Sequence, residues 1–174
     1  MASHKATLLA WMRIASKDLE SAQKLATPPN PQWEAALYHC QQAAEKATKA
    51  LLVLHGESPP KQHDIGLLID KFGKFGDDLN DLEVIAERLT DYATKYRYPN
   101  FQEDDDDDSL SQEVVDRAIA DASTFIARAK ALIEVHVNKE ESVSSEIAAD
   151  ASEVCERCNE VPCRCRSGSS VQRG

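Results

Sequence analysis

Apolar residues recur at three- and four-residue steps through residues 4–137 of this 174-residue chain, a spacing that places them along one face of an α-helix. Prolines separate the periodic segments, at 27–31, 58–60 and 98–100. Proline interrupts a helix because it lacks a backbone N–H and restricts the residue before it. No segment of strand length alternates apolar and polar residues. The sequence therefore predicts an all-α fold, an up-down antiparallel bundle of four long helices plus one short helix.

The first four predicted helices end near prolines or glycines, and the fifth ends where the apolar pattern weakens. Several begin at residues whose side chains can cap a helix. Their expected spans are about 4–26, 31–55, 65–73, 78–96 and 110–137. The expected starts are Asn30 before Pro31 for the second helix, Asp64 for the third, and Ser109 with Gln112 for the fifth.

The apolar pattern weakens after residue 137, where serine, glutamate and alanine dominate. We therefore expect one helical domain over 1–137 and a mostly disordered, flexible C-terminal tail over 138–174, with a transient helix near 143–157. No apolar run approaches the roughly 20 residues of a membrane span, and the N-terminus lacks the apolar core of a signal peptide. The prediction is a cytoplasmic protein with reduced cysteines and no membrane partner.

The chain is acidic, with 30 acidic and 20 basic side chains and a net charge of −10. Six of the acidic side chains lie in residues 103–108, so the rest of the chain is closer to neutral. Such a chain lacks the broad basic surface that binds the phosphates of duplex DNA. We therefore expect that it does not bind duplex DNA. The acidic run would also repel a long RNA strand more than a small nucleotide.

A resemblance to a known family begins in the second predicted helix. The run WEAALYHCQQAAEKATKALL at 33–52 is followed in order by Gly56, His63-Asp64 and Tyr96-Arg97-Tyr98-Pro99. Together these segments resemble the HEPN family, the higher eukaryote and prokaryote nucleotide-binding domain, over roughly residues 5–137. The resemblance implies a helical bundle that commonly homodimerises. It also implies a prokaryotic protein, often encoded beside a minimal nucleotidyltransferase.

In active members of that family, an arginine and a histidine after a short variable spacer form a metal-independent ribonuclease site at the dimer interface. Arg97 matches the arginine, which would hold the phosphate. The positions where the histidine would fall are occupied by Gln102, Glu103 and Asp104. The resemblance therefore carries over only the arginine half of the site. A ribonuclease would need another acid–base group, for which His39 is the candidate.

The candidate nucleotide contacts combine cations with aromatic rings, which bind phosphates and bases respectively. They are Arg97, Tyr96, Tyr98, Lys46 and Lys49. Lys46 and Lys49 point roughly one way at an i, i+3 spacing and could form a polar wall near Arg97, with Glu45 beside them. Each residue also has an alternative interpretation: Arg97 as a helix C-terminal cation with packed tyrosines, and the lysines as a solvated face. His39 would then be a satisfied, partly buried histidine, and His63 part of a structural turn.

Four cysteines form a separate cluster near the C-terminus: Cys155, Cys158, Cys163 and Cys165. Four thiolates can hold zinc tetrahedrally, and the neighbouring arginines would favour deprotonation. The first pair has ordinary zinc spacing, whereas the second pair is tight. Redox-active thiols and a metal-free tail are the alternatives to a small zinc site.

Three hypotheses for function follow. The first is a nucleotide- or RNA-associated binding module that partners a minimal nucleotidyltransferase in a toxin–antitoxin-like or defence pair. The second is a metal-independent endoribonuclease with a degenerate site, in which the arginine is kept and the histidine is absent. The third is a dimeric interaction scaffold that binds no nucleotide.

Overall fold

The computed structural model describes residues 2–75, 79–95 and 110–152, and all regular structure within these ranges is helical. The prediction of an all-α fold is confirmed. The five α-helices are α1 (Ala2–Leu25), α2 (Trp33–Leu54), α3 (Ile65–Gly73), α4 (Glu83–Lys95) and α5 (Gln112–Ser152). A single 3₁₀ turn, Asn80–Leu82, precedes α4.

Helices α1 and α2 form an antiparallel hairpin, as their side-chain contacts show. His4, near the start of α1, contacts the backbone carbonyl of Val53 near the end of α2. Asp18, late in α1, contacts Lys46 and His39, which lie earlier in α2. The contacts thus run in opposite directions along the two helices, as an up-down arrangement requires.

Helix α4 and the turn before it contact α5 in the same antiparallel sense. The guanidinium of Arg88 donates two hydrogen bonds to the carboxylate of Asp121, at 2.9 and 3.1 Å. Asp81, seven residues before Arg88, lies 3.4 Å from Arg128, seven residues after Asp121. These two ion pairs fix which stretch of α5 faces α4.

Helix α2 is the central element of the bundle and is buried along most of its length. Many of its buried residues are alanines, which let neighbouring helices approach closely. Larger side chains from the surrounding helices complete one apolar core, among them Phe72 of α3, Leu89 of α4 and Phe125 of α5. The core thereby draws on all five helices.

The predicted start of α3 is confirmed. The carboxylate of Asp64 accepts a hydrogen bond from the backbone N–H of Leu67 at 3.1 Å. The predicted glycine stop of α2 is also present: the helix ends at Leu54, and Gly56 adopts a φ of 82°, which costs a glycine little.

Other boundaries differ from the predictions. Helix α2 begins at Trp33, two residues later than Asn30 and Pro31 suggest, and its capping residue, Gln32, makes no side-chain capping hydrogen bond. At the start of α5 the hydroxyl of Ser111 accepts from the backbone N–H of Val114 at 3.4 Å. The predicted capping residue Ser109 lies outside the described residues.

Helix α5 continues past residue 137, where the apolar pattern predicts its end, and runs to Ser152. Residues 138–152 contain neither proline nor glycine, and alanine, glutamate and lysine favour helix. Loss of the apolar pattern therefore removes packing partners without removing helix propensity. The chain divides into two units, Met1–Ile133 and Glu134–Gly174. The predicted domain boundary at 137 stays a prediction.

Across the described ranges, none of the helices is both long enough and apolar enough to span a membrane.

Candidate functional site

The most unusual feature of α2 is a buried ion pair. The ammonium of Lys49 donates to Oε1 of Glu45 at 2.7 Å, one helical turn away. The side chain of Lys49 is 5% exposed and that of Glu45 is 3% exposed. The alternative of a solvated face is therefore wrong for these two residues. Buried charges cost desolvation energy that pairing only partly recovers, so this pair requires an explanation beyond stability.

The Glu45 carboxylate has further donors around it. Oε2 accepts hydrogen bonds at 3.2 Å from the side-chain amides of Gln41 and Gln42. Nδ1 of His63 lies 3.2 Å from both carboxylate oxygens. The His63 side chain is itself 76% exposed, so this buried carboxylate contacts an imidazole that faces solvent.

The turn interpretation of His63 agrees with its backbone contacts. Its carbonyl accepts a hydrogen bond from the Gln41 amide at 3.1 Å, which ties the residues before α3 to the middle of α2. The contact between its imidazole and Glu45 goes beyond that interpretation, because sequence spacing alone cannot bring residues from a loop and a helix together.

A second ion pair joins α2 to α1. The ammonium of Lys46 donates to Asp18 and also to the side-chain carbonyl of Gln42, the latter at 3.0 Å. Nδ1 of His39 lies 2.9 Å from the other carboxylate oxygen of Asp18. His39 is thus a partly buried histidine with a carboxylate partner, which agrees with the alternative interpretation of this residue.

These contacts form one continuous network, which we call the polar cluster. Its members are Asp18, His39, Gln41, Gln42, Glu45, Lys46, Lys49 and His63. Gln42 connects its two halves, because it accepts from Lys46 and donates to Glu45. Two carboxylates balance two ammoniums, so the polar cluster is neutral when its imidazoles are neutral. The ammoniums of Lys46 and Lys49 are held in place by hydrogen bonds within the polar cluster, in the absence of any ligand.

An aromatic ring borders the polar cluster on α1. The Lys49 ammonium lies 5.8 Å from the centroid of the Trp11 ring, within the range of a cation–π contact. Sequence spacing could have indicated Gln41, which precedes Glu45 by one turn just as Glu45 precedes Lys49. It gave no signal for Asp18 or Trp11, because both belong to a different helix.

A second charged pair, Arg88 with Asp121, joins α4 to α5, and its carboxylate influences a buried thiol on α2. Burial, followed by the negative charge of Asp121, raises the pKa of the Cys40 thiol from 9.0 to about 12. The hydrogen bond to Asp121 raises the pKa of the Arg88 guanidinium, which keeps its charge. Cys40 is fully buried and stays a neutral thiol at ordinary pH, so it is unsuited to act as a nucleophile.

The structure brings together three of the predicted site residues, His39, Lys46 and Lys49, in the polar cluster. The other predicted site residues lie outside the described ranges: Tyr96, Arg97, Tyr98, Cys155, Cys158, Cys163 and Cys165. Within 2–75, 79–95 and 110–152, no group of three or more histidine, cysteine or acidic side chains is placed to hold a metal ion.

Comparison with known proteins then identifies the family. The family model of the HEPN domain matches residues 8–132, well over half of the chain. The chain belongs to the HEPN domain family. The prediction made from the 33–52 run and the segments after it is therefore confirmed. The match includes every residue of the polar cluster and the position of Arg97, whereas the four C-terminal cysteines lie beyond it.

Two solved structures share the HEPN fold of this chain. The protein TT1696 from Thermus thermophilus is 23% identical, with a TM-score of 0.61 over 71% of this chain and 95% of TT1696. The archaeal HEPN homologue ST0689 is 26% identical, with a TM-score of 0.57 over 72% of this chain and 97% of ST0689. None of the curated proteins compared with this chain gives a significant match.

Proposed function

We propose that this HEPN protein is a nucleotide- or RNA-associated binding module of the cytoplasm. It works as a homodimer and partners a minimal nucleotidyltransferase in a toxin–antitoxin-like or defence pair. Membership of the HEPN family supports this proposal, and so does the chemistry of α2.

The observation that carries the proposal is the fixed position of two ammoniums on one side of α2. Lys49 is held by Glu45, and Lys46 is held by Asp18 and Gln42. Holding a cation in place before a ligand binds reduces the entropy that binding must overcome. The Lys46 side chain is 18% exposed, so a phosphate oxygen can approach it from solvent. Arg97, at the family position for phosphate contact, would add a bidentate donor.

Binding is favoured over cleavage because the acid–base half of the family site is absent from the sequence at 102–104. One observation nevertheless favours a degenerate ribonuclease as the second candidate. Asp18 engages Nδ1 of His39, an arrangement that orients an imidazole and leaves its Nε2 directed elsewhere. An interaction scaffold without a ligand is the third candidate, and it gives no role to the fixed ammoniums.

The test is calorimetric titration of the full chain with ATP, GTP and a short single-stranded RNA. We expect binding by wild type, and affinity at least about tenfold lower for Arg97→Ala and Lys46→Ala, because each loses a charge-assisted hydrogen bond. Lys130→Ala, at an exposed position of α5, is the matched control and should bind like wild type. Absence of binding by wild type would overturn the proposal.

The cleavage candidate has its own assay. Incubation of the RNA with protein in EDTA should leave it intact if the protein only binds. Cleavage that is lost in both His39→Ala and Arg97→Ala would favour the ribonuclease instead.

The partner is tested by expressing the chain together with a minimal nucleotidyltransferase encoded beside it. The two should elute as one complex in size-exclusion chromatography.

A further inference from the structure

The segment that joins α2 to α3 contributes no side chain to the core, because none of residues 54–64 is buried. Its two ends are nevertheless fixed. The backbone N–H of Glu57 donates to the carbonyl of Leu52 at 3.0 Å, and Asp64 caps α3. We call the residues between these ends, 58–63, the α3 strap. Burial of apolar side chains does not hold this strap in place.

Two polar contacts, both made by His63, attach the end of the α3 strap to α2. The carbonyl of His63 accepts a hydrogen bond from the side-chain amide of Gln41 at 3.1 Å. Its Nδ1 lies 3.2 Å from each carboxylate oxygen of Glu45 and must carry a proton there, because a carboxylate only accepts. Gln41 and Glu45 are both buried, whereas the His63 side chain is 76% exposed. A solvent-facing residue therefore closes the strap over buried polar groups.

These contacts should open at a lower cost than core packing. Segments with few buried apolar side chains and solvent-exposed hydrogen bonds open locally while the rest of the protein stays folded. Once His63 leaves, water reaches the Glu45 carboxylate and the Lys49 ammonium paired with it. Hydration then removes the desolvation cost that the buried pair bears in the closed state. Burial of the ion pair thus favours opening, and the hydrogen bonds of His63 oppose it.

We propose that the α3 strap opens locally, with His63 as its latch, and that opening exposes the Glu45–Lys49 ion pair to solvent. The closed strap keeps the two charges paired and out of contact with water. The open strap presents a carboxylate and an ammonium at the surface of α2. This inference is independent of the proposed function, because it names no ligand.

The test is the rate at which the Glu45 carboxylate reacts with a carbodiimide and glycinamide in the full chain, followed by mass spectrometry at increasing urea. Coupling to glycinamide and amide formation with the adjacent Lys49 both report access of the reagent. Local opening exposes little surface, so the rate should change little with urea below the unfolding transition. A rate that rises with urea as steeply as global unfolding does would overturn the proposal.

Three variants test the latch. His63→Leu keeps the size of the side chain but removes its donor, and Glu45 should react about tenfold faster or more, because a hydrogen bond to a charged acceptor is lost. His63→Asn places an amide N–H near the position of Nδ1 and should react at nearly the wild-type rate. Lys61→Ala, at an exposed position of the same strap, is the matched control and should also react like wild type.

The variants separate a latch from simple coverage of Glu45. Equal rates for wild type and His63→Leu would overturn the role of His63. Equally fast reaction of His63→Leu and His63→Asn would overturn it as well, since the hydrogen bond would then make no difference.

Discussion

Glu45 shows how much of this site depends on a single carboxylate. It accepts hydrogen bonds from Gln41, Gln42 and Lys49 and contacts His63, so it joins the middle of α2 to the residues before α3. A buried ammonium without its counter-charge is far more costly than the intact pair. Glu45 therefore stabilises the fold mainly because it supplies the counter-charge for the buried ammonium of Lys49.

Replacement of Glu45 by alanine should lower the free energy of unfolding by about 3 kcal/mol or more, because Lys49 stays buried without a partner. Urea unfolding followed by circular dichroism measures the loss. The exposed pair Glu113–Arg117, which has the same i, i+4 spacing, is the matched control. Glu113→Ala should cost about 0.5 kcal/mol or less, because solvent screens that pair. Equal losses for the two variants would contradict the prediction. The double variant Glu45→Leu/Lys49→Met should recover most of the loss, since neither buried charge remains.

Cys40 should react with thiol reagents only when the protein unfolds. To measure the reactivity of Cys40 alone, the other four cysteines are replaced by serine. Ellman's reagent at pH 8 should modify no thiol in native buffer and one per chain in denaturing guanidinium chloride, since the thiol is fully buried and its pKa is raised to about 12. Rapid modification of the native protein would contradict this.

The same thiol predicts a pH dependence of stability. Its pKa is higher in the folded protein than in the unfolded chain, so the folded state holds the proton more tightly. The stability that it contributes is complete below about pH 9 and is lost as the pH rises toward 12. Cys40→Ala should show a smaller decline over that interval.

At the scale of the helices, the sequence predicts correctly those features that depend on residues close together in the chain. It fails where a feature depends on contacts with another helix. Asp64 caps α3 through a hydrogen bond to Leu67, three residues away, and sequence spacing is sufficient to find it. The end of α5 depends on two competing causes, packing and helix propensity, and the apolar pattern reports only the first. The buried state of Glu45 and Lys49 depends on α1 and His63, which spacing along α2 cannot reveal.

Removal of all residues after 137 should leave the unfolding midpoint within about 2 °C of the full chain, because the buried core of the described structure ends at Leu132. Thermal circular dichroism measures both the midpoint and the helix content that is lost. A shorter chain that stops at Thr124 lacks Phe125 and Ile126 of the core and should fail to fold. A large drop in the midpoint of the 1–137 chain would place part of the core beyond that boundary.

At the scale of the whole molecule, the chain combines a HEPN domain with a cysteine cluster that the family match does not include. The match ends at residue 132, and the four cysteines occupy 155–165. Metal binding by these cysteines must therefore be tested separately from ligand binding by the helical domain. A zinc site there remains our proposal.

Protein purified without added metal should contain one zinc ion per chain, because four thiolates complete a tetrahedral site. Elemental analysis of the purified protein measures the content. Cys158→Ser should lose the metal, and Cys40→Ala, which removes a core thiol, should keep it. Zinc-free wild type, or zinc retained by Cys158→Ser, would contradict the proposal.

The contacts between α1 and α2 also constrain how this chain can evolve. A shift of one helix along the other by a single turn would separate His4 from Val53, Trp11 from Lys49 and Asp18 from Lys46 together. These three contacts together therefore determine how α1 is aligned along α2. Asp18 is shared between Lys46 and His39, so its loss would remove the carboxylate that contacts both. In related sequences we therefore expect a substitution of Asp18 to be accompanied by changes at Lys46 and His39.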